Sequence, residues 1–188
     1  MRSTLTDEQG RIVSIGKADP GNSAKGVFAG AYVLEPEVYR LLPERKCSVI
    51  AEGFRPAMRT GLMVQGCRHH FVWHDLGTWC GLARAVFAVL GSTSLSALAD
   101  GPYGEVAQLS PGRFVFHRGE AGIAPPAYIG PGVSIPKQSV AGPLAAVGAG
   151  SLLQPGATVS DSVLLPGCVV DGQIAGSVLW EGWSAPHT

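Results

Sequence analysis

Residues 129–170 read "IGPGVS IPKQSV AGPLAA VGAGSL LQPGAT VSDSVL LPGCVV" when broken into sixes. The first position of every block is aliphatic: Ile129, Ile135, Ala141, Val147, Leu153, Val159 and Leu165. The fifth is small or β-branched throughout: Val133, Ser139, Ala145, Ser151, Ala157, Val163 and Val169. A six-residue period fits a parallel β-helix, in which each six makes one flat side and three sides make a coil. The first position then points inward and stacks on its counterpart one coil away, and the fifth is small so that the chain can turn the corner. Glycines at 130, 132, 148, 150, 156 and 167 supply backbone conformations that other residues avoid. The frame fails after Leu165, because Asp171 and Ser177 occupy the next inward positions. Ile174, Val178 and Leu179 continue it out of phase, with Trp180 or Trp183 capping the open end. Roughly three coils are expected, a small solenoid that needs a neighbour over its first coil.

Upstream of the repeat the composition changes. Residues 101–124 are rich in Gly and Pro, show no sustained period and read as a connector. Before them the segments alternate in type. "GRIVSIG" (10–16) is a short strand after an Asp-Glu-Gln-Gly turn, and "GVFAGAYVL" (26–34) a buried strand with small residues. "EPEVYRLL" (35–42) opens a helix with an acid and a proline, and "VIAEGFRPAMRTG" (49–61) is a short helix ending at Gly61. "LMVQGC" (62–67) and "HHFVWHD" (69–75) read as paired strands, and "GTWCGLARAVFAVLG" (77–91) as an amphipathic helix stopped by Gly91. Strands alternating with helices indicate α/β architecture, with too few sheet elements for a complete doubly wound domain. The expected organisation is therefore an α/β portion over residues 1–100, the connector, and a β-helix over residues 125–188.

The 14 basic and 14 acidic residues of the 188 cancel, so net charge points to neither nucleic acid nor an anionic membrane. Every Lys and Arg but Lys137 precedes residue 119, which assigns any phosphate-handling surface to the first part. The four cysteines have no paired spacing and read as reduced, mostly buried thiols of a cytoplasmic protein. No signal peptide opens the chain, and the longest apolar run is far short of a membrane span.

The chemistry-bearing stretch is "HHFVWHDLGTW" (69–79). His70 and His74 stand at i and i+4, a zinc spacing on a helix, but Phe71, Val72 and Trp73 favour an extended chain. On a strand His70 and His74 share one face while His69, Trp73 and Asp75 share the other, and no Cys-x-x-Cys supplies further zinc ligands. Asp75 at a strand end suits a hard cation such as magnesium, or a turn.

In order, "FAGAYVLEPEVYRLLP" (28–43), "VIAEGFRPAMRTGLMVQGC" (49–67) and the W-x-D-x-G-T of "FVWHDLGTW" (71–79), followed by hexapeptide repeats, resemble the carboxy-terminal part of a sugar-1-phosphate nucleotidyltransferase. Within that NDP-sugar pyrophosphorylase family the mannose-1-phosphate guanylyltransferase-like members are the nearest in character. The resemblance runs from about Gly10 to Trp180. It implies a partial Rossmann-like nucleotidyltransferase portion followed by a left-handed β-helix. It further implies Mg2+ held by Asp75 as one of two carboxylates, and a sugar phosphate or sugar nucleotide as ligand. Lys17 would keep the lysine of the family's Glu-Lys-Pro motif, with Gly16 where the acid should be. Gly30 would let the sugar approach the backbone. Outside the resemblance, Lys17 also reads as a solvated charge and Gly30 as an aid to strand packing.

The family's G-x-G-T-R loop is absent from this sequence; "GRIVSIGKA" spaces its glycines wrongly for a phosphate loop and reads as a strand. The expected protein is therefore of nucleotidyltransferase lineage but inactive alone. It would need an amino-terminal half in trans, or serve as a non-catalytic binding or assembly module that self-associates through the β-helix. A hexapeptide-repeat acyltransferase is disfavoured, because residues 119–186 contain no histidine to act as base.

Overall fold

The structure, a computed structural model, describes residues 3–16, 26–69, 72–92, 95–101, 112–116 and 122–187. The chain divides into two compact units, Met1–Trp73 and His74–Thr188. The division thus falls well before the 101–124 connector, and helix 79–90 belongs with the solenoid.

In the first unit, β1 (Ser3–Thr6) pairs antiparallel with both β2 (Ile12–Gly16) and β3 (Gly26–Val27). The expected turn joins β1 to β2: the Asp7 carboxylate accepts the amides of Gln9 and Arg11 at 3.0 and 2.8 Å, and Gly10 takes a φ of +80°. Helix α1 (Pro36–Tyr39) starts with its proline at the first turn, as its sequence predicts. Residues Val49–Phe54 form a π-helical turn that runs into α2 (Arg55–Arg59), and Gly61 leaves the helix at φ +83°. Ser48 caps the turn by accepting the Ala51 amide, while Glu52 accepts the Ser48 amide and pairs with Arg45 at 2.7 Å. That arginine holds the Glu52 carboxyl below its ordinary pKa. Ile15, Val38, Ile50, Phe54 and Ala57 form the core of this unit.

Two expectations fail here. Residues 26–34 are not one buried strand: β3 stops at Val27, and Val33 is 96% exposed. Aromatic contacts hold the segment instead, with Tyr32 edge-on to Phe54 at 5.6 Å and stacked on Phe28 at 6.0 Å. Nor do the described residues of 62–67 and 69–75 pair with one another as strands. The first segment lies beside the β1–β2 turn, through the Ile12 amide to the Val64 carbonyl at 2.7 Å and a single Arg11–Gln65 bridge. All strand pairing among the described residues of this unit is antiparallel, so the parallel sheet of a Rossmann-like portion is not seen there.

The second unit contains the expected β-solenoid, of about three turns. Its first side stacks β5 (Ala127–Ile129), β7 (Ala145–Val147), β10 (Ser162–Leu164) and β13 (Ser177–Trp180) in parallel. Its second side carries β8 (Leu152–Leu153) and β11 (Val169–Val170), with Ser134 bridged to Leu152. Its third carries β6 (Val140–Ala141), β9 (Thr158–Ser160) and β12 (Gln173–Ala175). The inward columns that result are Ile129–Val147–Leu164–Leu179, Ile135–Leu153–Val170 and Ala141–Val159–Ile174, all within or against one core.

The hexad frame holds through Val159 and then slips by one residue, earlier than the sequence period suggests. Three residues turn the corner between Ala141 and Ala145, whereas Ser160 and Asp161 alone turn it between Val159 and Ser162. Asp161 makes this tighter corner at φ +44°, its amide donating to the Pro143 carbonyl at 2.9 Å. Leu164, not Leu165, is therefore the inward residue. Ser162 and Cys168 take the small-residue column from Val163 and Val169, and Val169 is left 62% exposed. Ile174 and Leu179 continue the core as expected.

Serines in that column cross-link the coils. Buried Ser139 accepts the Gly156 amide at 3.1 Å and donates to the Gln154 carbonyl at 2.8 Å. Ser151 accepts the Cys168 amide at 3.2 Å, and Ser162 the Ser177 amide at 3.2 Å.

The outer surface of the first side is apolar too, and α3 (Trp79–Leu90) covers it: Ala83 and Leu90 pack on Ala146, Val163 and Val178. At one end of that sheet β4 (Arg113–Val115) pairs antiparallel with β5, which covers the first coil. At the other, β14 (Trp183–Pro186) pairs antiparallel with β13 and ends the parallel stacking. Trp180 stacks on Trp79 at 4.2 Å, while Trp183 pairs with Trp180 through the backbone and leaves its side chain exposed. Among the described residues no helix is long and apolar enough to cross a membrane.

The cysteines are less uniformly buried than the sequence suggests: Cys168 is buried, Cys67 exposed, and Cys47 and Cys80 between. Burial raises the Cys168 thiol above its ordinary pKa, and its Sγ donates to the Leu179 carbonyl. Since the thiolate is the nucleophile, iodoacetamide at neutral pH should label Cys67 readily and Cys168 only after unfolding. Mass spectrometry of the labelled folded protein checks this, and early labelling at Cys168 would contradict the solenoid core.

Candidate functional site

The 73–82 segment is built by capping chemistry. Asp75 is exposed, and its Oδ1 accepts the Gly77 amide at 3.0 Å in an Asx turn. Thr78 is the N-cap of α3: its Oγ1 accepts the Gly81 amide at 3.0 Å and its carbonyl accepts the Leu82 amide at 2.9 Å. Gly81 is obligatory, because a Cβ there would overlap the Asp75 carbonyl oxygen. Within W-x-D-x-G-T, then, Asp75 and Thr78 both perform structural work at a helix entrance, and Trp73 is half-buried. A carboxylate offers about four acceptor sites, so one amide does not use up Asp75 as an oxygen ligand for magnesium.

Of the described positions, Gly30 belongs to the first unit and Asp75 to the second. Lys17 lies outside the described residues. Gly30 is exposed in the first unit, at φ +90° with open space where a Cβ would stand. The left-handed backbone, rather than crowding, is what calls for glycine there. His70 lies outside the described residues, His69 is exposed and His74 half-buried. Among the described residues no group of three or more His, Cys, Asp or Glu comes together as a metal site.

One feature escapes the motif-based reading. A concavity of about 320 Å³ in the first unit is lined by Val13, Ser14, Ile15, Arg55, Met58 and Arg59. The available signal was the i, i+4 spacing of two arginines on a predicted helix. On the solenoid, His187 reaches the Asp161 carbonyl at 2.7 Å and lies edge-on to Phe87, so it serves as a tie between the chain end and a corner. No family model matches this chain, and no curated protein matches it significantly.

Proposed function

We propose that this chain is of sugar-1-phosphate nucleotidyltransferase lineage. The reaction of that lineage joins a nucleoside triphosphate and a sugar 1-phosphate into an NDP-sugar, with release of pyrophosphate. In this proposal the chain supplies the sugar-side and metal-side elements, in the cytoplasm, and depends on an amino-terminal half for the nucleotide. The solenoid is the left-handed β-helix that many members of the family carry. The observation that supports the reading is the exposed Asp75 carboxylate in a W-x-D-x-G-T turn that leads directly into the helix covering a solenoid.

In this assignment Asp75 would be one of two carboxylates holding Mg2+, which would supply charge stabilisation at the α-phosphate when bound. The Asx turn orients the carboxylate, and Thr78 caps α3 beside it. Lys17 and the backbone at Gly30 would meet the sugar phosphate.

The test adds an amino-terminal half from a related enzyme, fused or in trans, and assays pyrophosphorolysis. Alone the chain should show no turnover; with that half, some turnover should return. Asp75→Asn keeps an Asx-turn acceptor but removes the charge, so it should leave thermal stability unchanged and lower the rate at least about a hundredfold. His74→Asn should cost far less. Equal rates for Asp75→Asn and the parent would end the metal assignment. A fold that is intact but never active with any such half favours the non-catalytic binding or assembly reading.

A further inference from the structure

The concavity between β2 and α2 has an unusual charge arrangement. Arg55 and Arg59 stand one turn apart on α2 and both line it. Like charges at that spacing repel one another. The Arg55 Nη2 donates to the Ile15 carbonyl at 2.8 Å, which lays this half-buried guanidinium across β2. Among the described residues neither arginine forms an ion pair, whereas Arg40 and Arg45 pair with Glu37 and Glu52. Ser14 adds a hydroxyl, and Met58 and the 57% exposed Val13 supply an apolar wall.

Two arginines one helical turn apart, with Ser14 also lining the concavity, offer planar, forked donors of the kind that suit the oxygens of a phosphate dianion. An anion seated between the arginines would also remove their mutual repulsion. The volume, about 320 Å³, is at the low end for small-molecule sites, and the apolar wall calls for carbon next to the phosphate. We propose that this concavity binds the phosphate monoester of a small, partly apolar molecule, with Arg55 and Arg59 on the phosphate and Val13 and Met58 against the organic part. The site uses none of Lys17, Gly30 and Asp75, so it stands or falls apart from the nucleotidyltransferase reading.

The experiment follows backbone amides and arginine Nε–Hε groups of the full chain by NMR during titration with inorganic phosphate and, separately, phenyl phosphate, at constant ionic strength. Saturable shifts should appear at Ser14, Arg55 and Arg59 with both probes, and phenyl phosphate should bind at least about fivefold more tightly because its ring covers apolar surface. Arg59→Gln changes an exposed side chain, so the fold should persist while affinity for both probes drops roughly tenfold. Arg55→Lys keeps the charge and loses the fork, and should weaken binding as well. Shifts reproduced by sodium chloride alone, or parental affinity in Arg59→Gln, would overturn the site. Equal affinity for the two probes would overturn the monoester assignment in favour of a plain inorganic anion.

Discussion

Leu153→Asp should unfold the solenoid. Leu153 is fully buried in the Ile135–Leu153–Val170 column, with its amide donating to the Ser134 carbonyl at 3.0 Å. Removing the leucine side chain alone costs about 2–5 kcal/mol in transfer and cavity terms. The aspartate then either carries an unpaired charge in the core or protonates with nothing placed to receive its hydroxyl, which adds several kcal/mol more. Domains of this size hold roughly 5–15 kcal/mol in total, so most of the margin disappears. Circular dichroism should show the unit largely unfolded at room temperature, or a midpoint lowered by about 20 °C or more. Gln173→Thr, on an exposed outward position of β12, should shift stability by no more than about 0.5 kcal/mol. An unchanged midpoint for Leu153→Asp would mean that the inward columns are drawn wrongly.

The second large effect is at a corner. Gly142 sits at φ +105°, and a Cβ there would overlap the Ala124 carbonyl oxygen. That backbone cannot step aside cheaply: the Ala124 amide donates to the Ala141 carbonyl at 2.8 Å, and the Gly142 amide to the Val159 carbonyl at 2.7 Å. Gly142→Val should therefore break the register between successive coils and cost more than about 3 kcal/mol. Gly150 has a similar backbone at φ +67° but open space around its missing Cβ. Gly150→Ala should thus cost only the left-handed strain, about 1–2 kcal/mol. Urea unfolding of both variants separates the two causes. A Gly142→Val no worse than Gly150→Ala would show that contact between coils is looser than the structure has it.

The candidate site was less legible than the solenoid. Asp75 and Thr78 stand out in a sequence because they carry chemistry, yet an aspartate two residues before a glycine amide and a threonine at a helix start are equally good formers of local structure. Their spacing looks the same whether the carboxylate meets an amide or a metal. The structure assigns both to the entrance of α3 through the Gly77 and Gly81 amides. Arg55 and Arg59 drew no attention in the sequence, because an exposed helix normally carries such charges. Only the fold sets β2 against them and makes a concavity.

Burial along a repeat is a local property that recurs at fixed spacing. The sequence alone therefore determined that a solenoid forms, that Ala141, Val147, Leu153 and Val159 point inward, and that about three coils stack. Helix ends at Pro36, Gly61 and Gly91 were equally legible, since caps act within a few residues. The tertiary structure alone decided where the frame slips, because coils align by hydrogen-bond register across 15 to 18 residues and not by counting in sixes. It also decided which side of the solenoid is covered. Ala145–Val147, Ser162–Leu164 and Ser177–Trp180 bury both of their faces, so runs such as Val163-Leu164 and Val178-Leu179 pair an inward residue with one under α3. A six-residue period records one buried face. The second exists only because a helix from earlier in the chain packs on it, and no local spacing carries that information.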